Sequence, residues 1–299
     1  MEKKTQIDLF GAVALTGFAF LLAFNQVVIK VTNGGLQPVF FAGLRSAGAV
    51  ACIWAYLRWR GIPLQFAPGT RVAGFIMGAV FAFEFLCLFI ALDLTAVSRA
   101  SVIFYSMPVW LAIMAHFIMP DDKITPVKAV GLALAMGGVA VAILTRGDSA
   151  GSLWGDLAAL GSAIAWAVTA MIAKASPMAR VRPEIQLFWQ VGVSAPILMV
   201  AALFFGPLIR DLAPIHVAGL AFQIVVVVSA GFIFWLWLLS IYPASGVASF
   251  SFLSPVLAVF LGWLLLGEAI GPSLIVALIL VAVGLLLINR PVKSHRTSG

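Results

Sequence analysis

Apolar runs of about twenty residues, broken by short polar connections, fill the chain from end to end. Cutting at charged, glycine and proline positions gives ten of them, near 8–30, 37–59, 70–92, 97–118, 124–145, 154–176, 183–205, 214–240, 245–266 and 271–289. A bilayer core needs about 20 mostly apolar residues per helix. The pattern therefore predicts an all-α polytopic membrane protein of ten transmembrane helices, with no room for a soluble catalytic or nucleotide-binding domain. The first run starts behind Lys3 and Lys4 and continues to Lys30. It is too long for a cleaved signal peptide and reads as an uncleaved first span.

The pattern also repeats. Pro255 follows Pro108 by 147 residues, and the same offset pairs Asp121 with Glu268, Gly137 with Gly284 and Ser98 with Ser245. Phe10 to Lys30 matches Trp154 to Lys174 at an offset of 144, and RVAGF before span 3 matches HVAGL before span 8 at 145. Two repeats of five spans follow: residues 1–148, and residues 149–299 with a short basic tail. Five is odd, so the second copy enters the membrane from the opposite side. That gives an inverted repeat, the symmetry that lets one fold open alternately to either face around a fixed central site.

Composition sharpens this. The chain is 63% hydrophobic and 10% charged, whereas soluble domains carry about 25% charged residues. Lipid is the solvent such a surface fits. Cys52 and Cys87 lie inside apolar runs and read as small buried hydrophobes, not as a disulfide framework. The net charge of +7 does not point to nucleic acid, because the basic residues sit in connections and tails. With the N-terminus inside, 13 of the 18 Lys and Arg residues fall on the cytoplasmic side and four, Lys30, Arg99, Arg146 and Arg210, on the other. Arg45 lies within a span. The positive-inside rule then places both termini in the cytoplasm, in the inner (plasma) membrane.

The second-copy segment SPVLAVFLGWLLLGEAIGPSLIVALILVAVGLLL, residues 254–287, and its weaker first copy, residues 107–144, resemble the EamA family of the drug/metabolite transporter superfamily. The resemblance covers nearly the whole chain, and its motifs are loose individually but specific in order and spacing. Within the superfamily the chain looks most like the YddG-type amino acid exporters. The resemblance implies a monomeric carrier of a small-molecule substrate with a central cavity lined by spans 1, 3, 4, 6, 8 and 9; the residues themselves show no cluster with metal-ligand spacing, and no cofactor or metal is expected. One departure is Asp121–Asp122 where the second copy has Gly267–Glu268.

Several residues carry the candidate chemistry. Glu84 in span 3 and Arg45 in span 2 are the deep charges, each eight residues from the same end of its span, or about 12 Å in. They are candidates for an ion pair; Glu84 is also a candidate ligand for a substrate ammonium, since span 3 is a cavity helix in the resembled family. Ser98, Ser101 and Tyr105 form a polar stripe on span 4, mirrored in span 9 by Ser245, Ser249 and Phe252. Trp166 and Thr169 in span 6, and Ser229 and Phe232 in span 8, fall at similar depth. Such stripes serve either as helix–helix contacts or as the few polar groups of a small amphipathic pocket. Pro108 and Pro255, read as mid-helix, are either static kinks or paired hinges. Asn25 and Gln26 divide between packing and an outer vestibule. Glu268 and Asp121 read as caps of the helices that follow them.

A membrane enzyme finds no support: the chain has no HExxH, no GxSxG and no Walker A motif. A channel is less natural, since channels build pores from rings. The expected function is an alternating-access carrier exporting small amphipathic metabolites, amino acids including aromatic ones first, with a multidrug or lipophilic-cation exporter of the same fold as the alternative.

Overall fold

The computed structural model of the chain describes residues 7–66, 68–120, 123–145, 151–242, 250 and 252–289. The helices are α1 (Leu9–Thr32), α2 (Pro38–Trp59), α3 (Arg71–Leu94), α4 (Val97–Phe104), α5 (Met107–Ile118), α6 (Pro126–Leu144), α7 (Leu153–Ala175), α8 (Pro183–Ala202), α9 (Pro214–Phe222), α10 (Phe232–Ile241), α11 (Leu253–Leu266) and α12 (Pro272–Ile288). A π-helical segment, Gln223–Gly231, joins α9 to α10. Eight helical spans among the described residues are long and apolar enough to cross a membrane, and α11 and α12 are shorter apolar helices.

Local chemistry sets the boundaries. Pro38, Pro126, Pro183, Pro214 and Pro272 each occupy the first residue of a helix, where a missing N–H costs nothing and φ is already helical. Asp8, Gln37, Thr125 and Ser152 cap α1, α2, α6 and α7 through their side chains. Gly267 ends α11 at φ +66°, a left-handed position that glycine adopts without strain.

Span 4 departs from the expectation of a continuous helix. It breaks at Tyr105–Ser106, and Pro108 stands in the first turn of α5 instead of mid-helix. The Ser106 hydroxyl donates to the Ile103 carbonyl at 2.6 Å, so a serine does take up a carbonyl freed by the break. Pro255 likewise falls in the first turn of α11. Neither proline therefore removes a hydrogen bond from a helix interior. Ser245, Ser249 and Asp121 lie outside the described residues.

Equivalent helices of the two copies pack against each other in opposite directions. On α6 and α12, Gly131 faces Gly284 and Gly138 faces Ala277, so residue numbers rise along one helix as they fall along the other. On α2 and α8, Gly43 faces Met199, and the Ser194 hydroxyl donates to that of Ser46 at 3.0 Å, again antiparallel. Inversion of the copies is thus visible in the packing. The glycines permit backbone approach: a Cβ on Gly284 would lie 2.6 Å from the Gly131 carbonyl oxygen. The Gly74/Gly78 pair of α3 serves the same end against Trp189 and Val193 of α8.

The copies are interleaved. α3 packs on α7 and α8, and α11 packs on α1 and α4. One core cluster draws on both, including Phe41, Phe89, Ile103, Ala163, Leu198 and Val281. Large apolar side chains such as Phe20, Val130, Ile275 and Ile279 point outward, as lipid contact requires, and Trp54, Trp59 and Trp154 are exposed as well.

Candidate functional site

Polar side chains are concentrated in two places. The first is the end of the bundle that carries Glu268. There Arg99 of α4, fully buried, grips Asp156 of α7 in a two-pronged bond, with Nε to Oδ1 at 2.8 Å and Nη2 to Oδ2 at 2.8 Å. Its remaining donors reach the carbonyls of Ile143 and Thr145 at 3.3 Å. The Glu268 carboxylate, contributed by the second copy, accepts from the amides of Val97 at 2.6 Å and Ser98 at 2.8 Å. It therefore caps α4 of the first copy, 170 residues away; the helix following it, α12, has no side-chain cap. Gly262 leaves room for it, since a Cβ there would stand 2.5 Å from Oε2.

The same end is tied further. Lys30 Nζ donates to the carbonyls of Asp93 at 3.1 Å and Thr95 at 3.0 Å. Arg210 forks onto Asp93 at 2.8 and 3.0 Å and reaches the Asn33 carbonyl at 2.9 Å. The Asp93 bonds hold the Arg210 guanidinium pKa above its ordinary value. At the opposite end, the Tyr242 hydroxyl donates to Asp8 Oδ1 at 2.7 Å.

The second place is the interior. Asn25 and Gln26 of α1, Ser101 of α4, Tyr105 at the α4–α5 break, Gln223 at the start of the π segment and Ser254 of α11 are all buried. Gln223 Nε2 donates to Asn25 Oδ1. The Tyr105 hydroxyl lies beside Gln26 and Ser254. Gln26 Oε1, Gln223 Oε1 and the Ser101 hydroxyl have no hydrogen-bond partner, nor does the Ser98 hydroxyl nearer the Glu268 end. An unpaired buried polar atom costs about 1–3 kcal/mol, so three in one region mark a place kept for something other than packing. Helix counting puts the two glutamines at similar depth: Gln26 is six residues from the end of α1 and Gln223 nine from the start of α9, or about 9 and 14 Å in. A π segment within an apolar span is itself uncommon and recurs at functional sites.

Arg45 of α2 and Glu84 of α3 are also buried, at 5% and 2% exposure. Their charges interact, but the direct ion pair considered from sequence does not form. The Arg45 guanidinium instead lies over the Phe85 ring, 3.9 Å from its centroid. Arg45 Nε and Nη1 and Glu84 Oε2 are left without partners.

The profile of the family described as "EamA-like transporter family" matches this chain twice, over residues 9–144 and 153–290. The chain belongs to the EamA-like transporter family. Two Bacillus subtilis (strain 168) relatives, named uncharacterized transporters YoaV and YvbV, are 23% and 25% identical. The first alignment spans 93% of this chain and 95% of YoaV, and the second 95% of each. A Pseudomonas aeruginosa protein, uncharacterized protein PA1977, is 28% identical over 95% of this chain and 94% of its own. One crystal structure matches with a TM-score of 0.65 over 92% of this chain and 95% of its own, at 20% identity, a likeness of fold alone. The EamA family and the transporter-named relatives make this chain a multi-pass membrane transporter acting on a small molecule.

In this EamA-like transporter the residues singled out from sequence separate into groups. Tyr105, Trp166 and Phe252 join one apolar cluster that spans both copies. Thr169 is buried, but its hydroxyl is taken up by the Ala165 carbonyl of its own helix at 3.0 Å. Ser229 donates to the Ile224 carbonyl within the π segment at 2.7 Å. With Phe232 it lines a separate small pocket against Cys52, Tyr56 and Leu187, about 10 Å³ in volume, room for about one water. Sequence reading missed Gln223, Ser254, the Arg99–Asp156 pair and the true partner of Glu268. A glutamine alone in an apolar span was the available signal for Gln223.

The Glu268 cap yields a test. Glu268→Ala strips the acceptor from two helix N–H groups, and losing a cap costs about 0.5–2 kcal/mol. A lowered melting temperature in detergent, with Glu268→Asp intermediate, is the expected result; an unchanged one contradicts the cap.

Proposed function

We propose that this EamA-like transporter is an alternating-access carrier exporting small amphipathic metabolites, amino acids including aromatic ones foremost, through a chamber between its inverted copies. The observation that carries the reading is the buried layer of Asn25, Gln26, Tyr105 and Gln223, drawn from both copies and holding unpartnered acceptors. Such a layer inside an apolar, aromatic surround suits a solute with one polar head and one greasy body. Glu84, buried with Oε2 unpartnered, is the carboxylate assigned to draw a substrate ammonium. Trp166 and Phe252, packed with Tyr105, supply apolar wall. Ser101 adds a free hydroxyl.

The end carrying Glu268 is bound shut by Arg99, Lys30 and Arg210, which supports reading it as the closed external face, with both termini in the cytoplasm. Pro108 and Pro255 serve as paired hinges, each standing in the first turn of its helix. Fusion of two complementary halves makes a monomer self-sufficient. A second reading has one observation in its favour. Phe18 stacks on Trp235 at 4.9 Å, and Phe234 on Trp237 at 5.6 Å, an aromatic seam able to hold a lipophilic cation.

The test is counterflow in liposomes with a panel of amino acids and a quaternary ammonium dye. Saturable counterflow of amino acids is expected; linear flux, or flux of the dye alone, overturns the proposal. Tyr105→Phe and Gln223→Leu should each raise KM about three- to tenfold, the worth of one hydrogen bond.

A further inference from the structure

We infer that Arg45 and Glu84 are the two poles of a zwitterion site, Arg45 taking the carboxylate and Glu84 the ammonium of an α-amino acid. The inference rests on the carrier reading above and narrows its substrate class. Two opposite charges are buried close together in a membrane interior, yet neither completes the other. A guanidinium and a carboxylate free to meet would close a short, charge-assisted pair, as Arg99 and Asp156 do in this same molecule at 2.8 Å.

What holds Arg45 back is the aromatic wall. Its carbon centre lies 3.9 Å from the Phe85 centroid and 5.8 Å from that of Phe89. Phe89 is itself fixed by Phe41 and Phe85, at 4.9 and 6.0 Å. Stacking occupies the flat face of the guanidinium and leaves the Nε and Nη1 N–H groups of its edge unpartnered. That edge is the part that recognises a carboxylate. Glu84 Oε2, on the neighbouring helix, is a free acceptor for an ammonium.

The charges also restrict the occupant. A lone cation would leave Arg45 buried and unmatched, and a lone anion would leave Glu84 so. Only a solute carrying both signs, on groups close together, neutralises both. Phe41, Phe85 and Phe89 then offer rings to an aromatic or aliphatic side chain on the same carbon. A site built on buried polar groups rejects an analogue lacking the matching group far more strongly than one lacking a methylene.

The experiment uses the full chain in liposomes. Counterflow of labelled L-phenylalanine is competed by phenethylamine, which lacks the carboxylate, and by 3-phenylpropionate, which lacks the ammonium. The wild type should prefer phenylalanine to either by more than about tenfold. Arg45→Gln should close the gap to phenethylamine but not to 3-phenylpropionate, and Glu84→Gln should do the reverse. A purely structural pair would weaken phenylalanine and both competitors in parallel, which overturns the inference. If a stranded charge unfolds either single variant, the Arg45→Gln/Glu84→Gln double variant carries the test: it should fold and lose the discrimination, and retained selectivity refutes the two poles. Amino acid counterflow with unshifted selectivity in every variant removes this inference alone; absence of amino acid counterflow in the wild type removes the carrier's substrate class as well.

Discussion

Arg99→Leu, with Asp156 left in place, should destabilise the protein by about 3–5 kcal/mol, the usual cost of stranding one member of a buried ion pair. The reason lies in how completely the pair is enclosed. The two side chains are 2% and 0% exposed, and Thr95 Oγ1 and the Ile143 and Thr145 carbonyls complete the shell. Removing the guanidinium leaves a carboxylate with no water and one weak donor. Removing both charges is different: Arg99→Leu/Asp156→Leu should recover most of the loss, because an apolar pair of similar volume needs no desolvation. Thermal melting in detergent reads both variants. A single variant as stable as the wild type would mean that water reaches Asp156.

The second large effect is expected at the seam between α6 and α12. A Cβ on Gly284 would sit 2.6 Å from the Gly131 oxygen and 2.7 Å from the Ala135 Cβ, and these are backbone and near-backbone atoms that cannot rotate away. Gly284→Leu must part the helices. Overpacking of a tight core already costs about 1–3 kcal/mol, and here the obstacle is main chain, so loss of monodisperse protein on size-exclusion chromatography is expected. Gly137→Leu is the control. Its Cβ would meet nothing within 4 Å, and the variant should behave as wild type. If both behave alike, the seam is looser than described.

That contrast shows how far the sequence was legible. Gly137 and Gly284 are equivalent by repeat offset, yet only one is at the seam; duplication records ancestry, and later packing has made the copies unequal. The spans were readable because each depends on neighbours within about twenty residues, and the repeat because its two copies still match when laid side by side. The break at Tyr105 was not, because Pro108 fits equally well as a kink or as the first turn of a new helix. The π segment lies in the run FQIVVVVSAGF, where nothing local marks the change from four-residue to five-residue hydrogen bonding. Arg99 was counted among connection charges, since nothing local distinguishes a solvated arginine from one whose partner is 57 residues away. The interior polar layer was half legible: Tyr105 and Ser101 stood out by helical spacing, whereas Gln223 needed its neighbour Asn25, 198 residues distant, to become meaningful.

The Glu268 cap has a bearing on biosynthesis. Val97 and Ser98 leave the ribosome 170 or more residues ahead of the carboxylate that will accept their N–H bonds. At translation rates of about 5–20 residues per second, that interval is on the order of ten to thirty seconds. Through it, the nascent first half carries an unfinished helix start, and Arg99 waits through a shorter interval for Asp156. The first half is thus inserted into the bilayer before it is able to reach its final form, and the translocon and its chaperones must shelter it until the last pair of helices arrives.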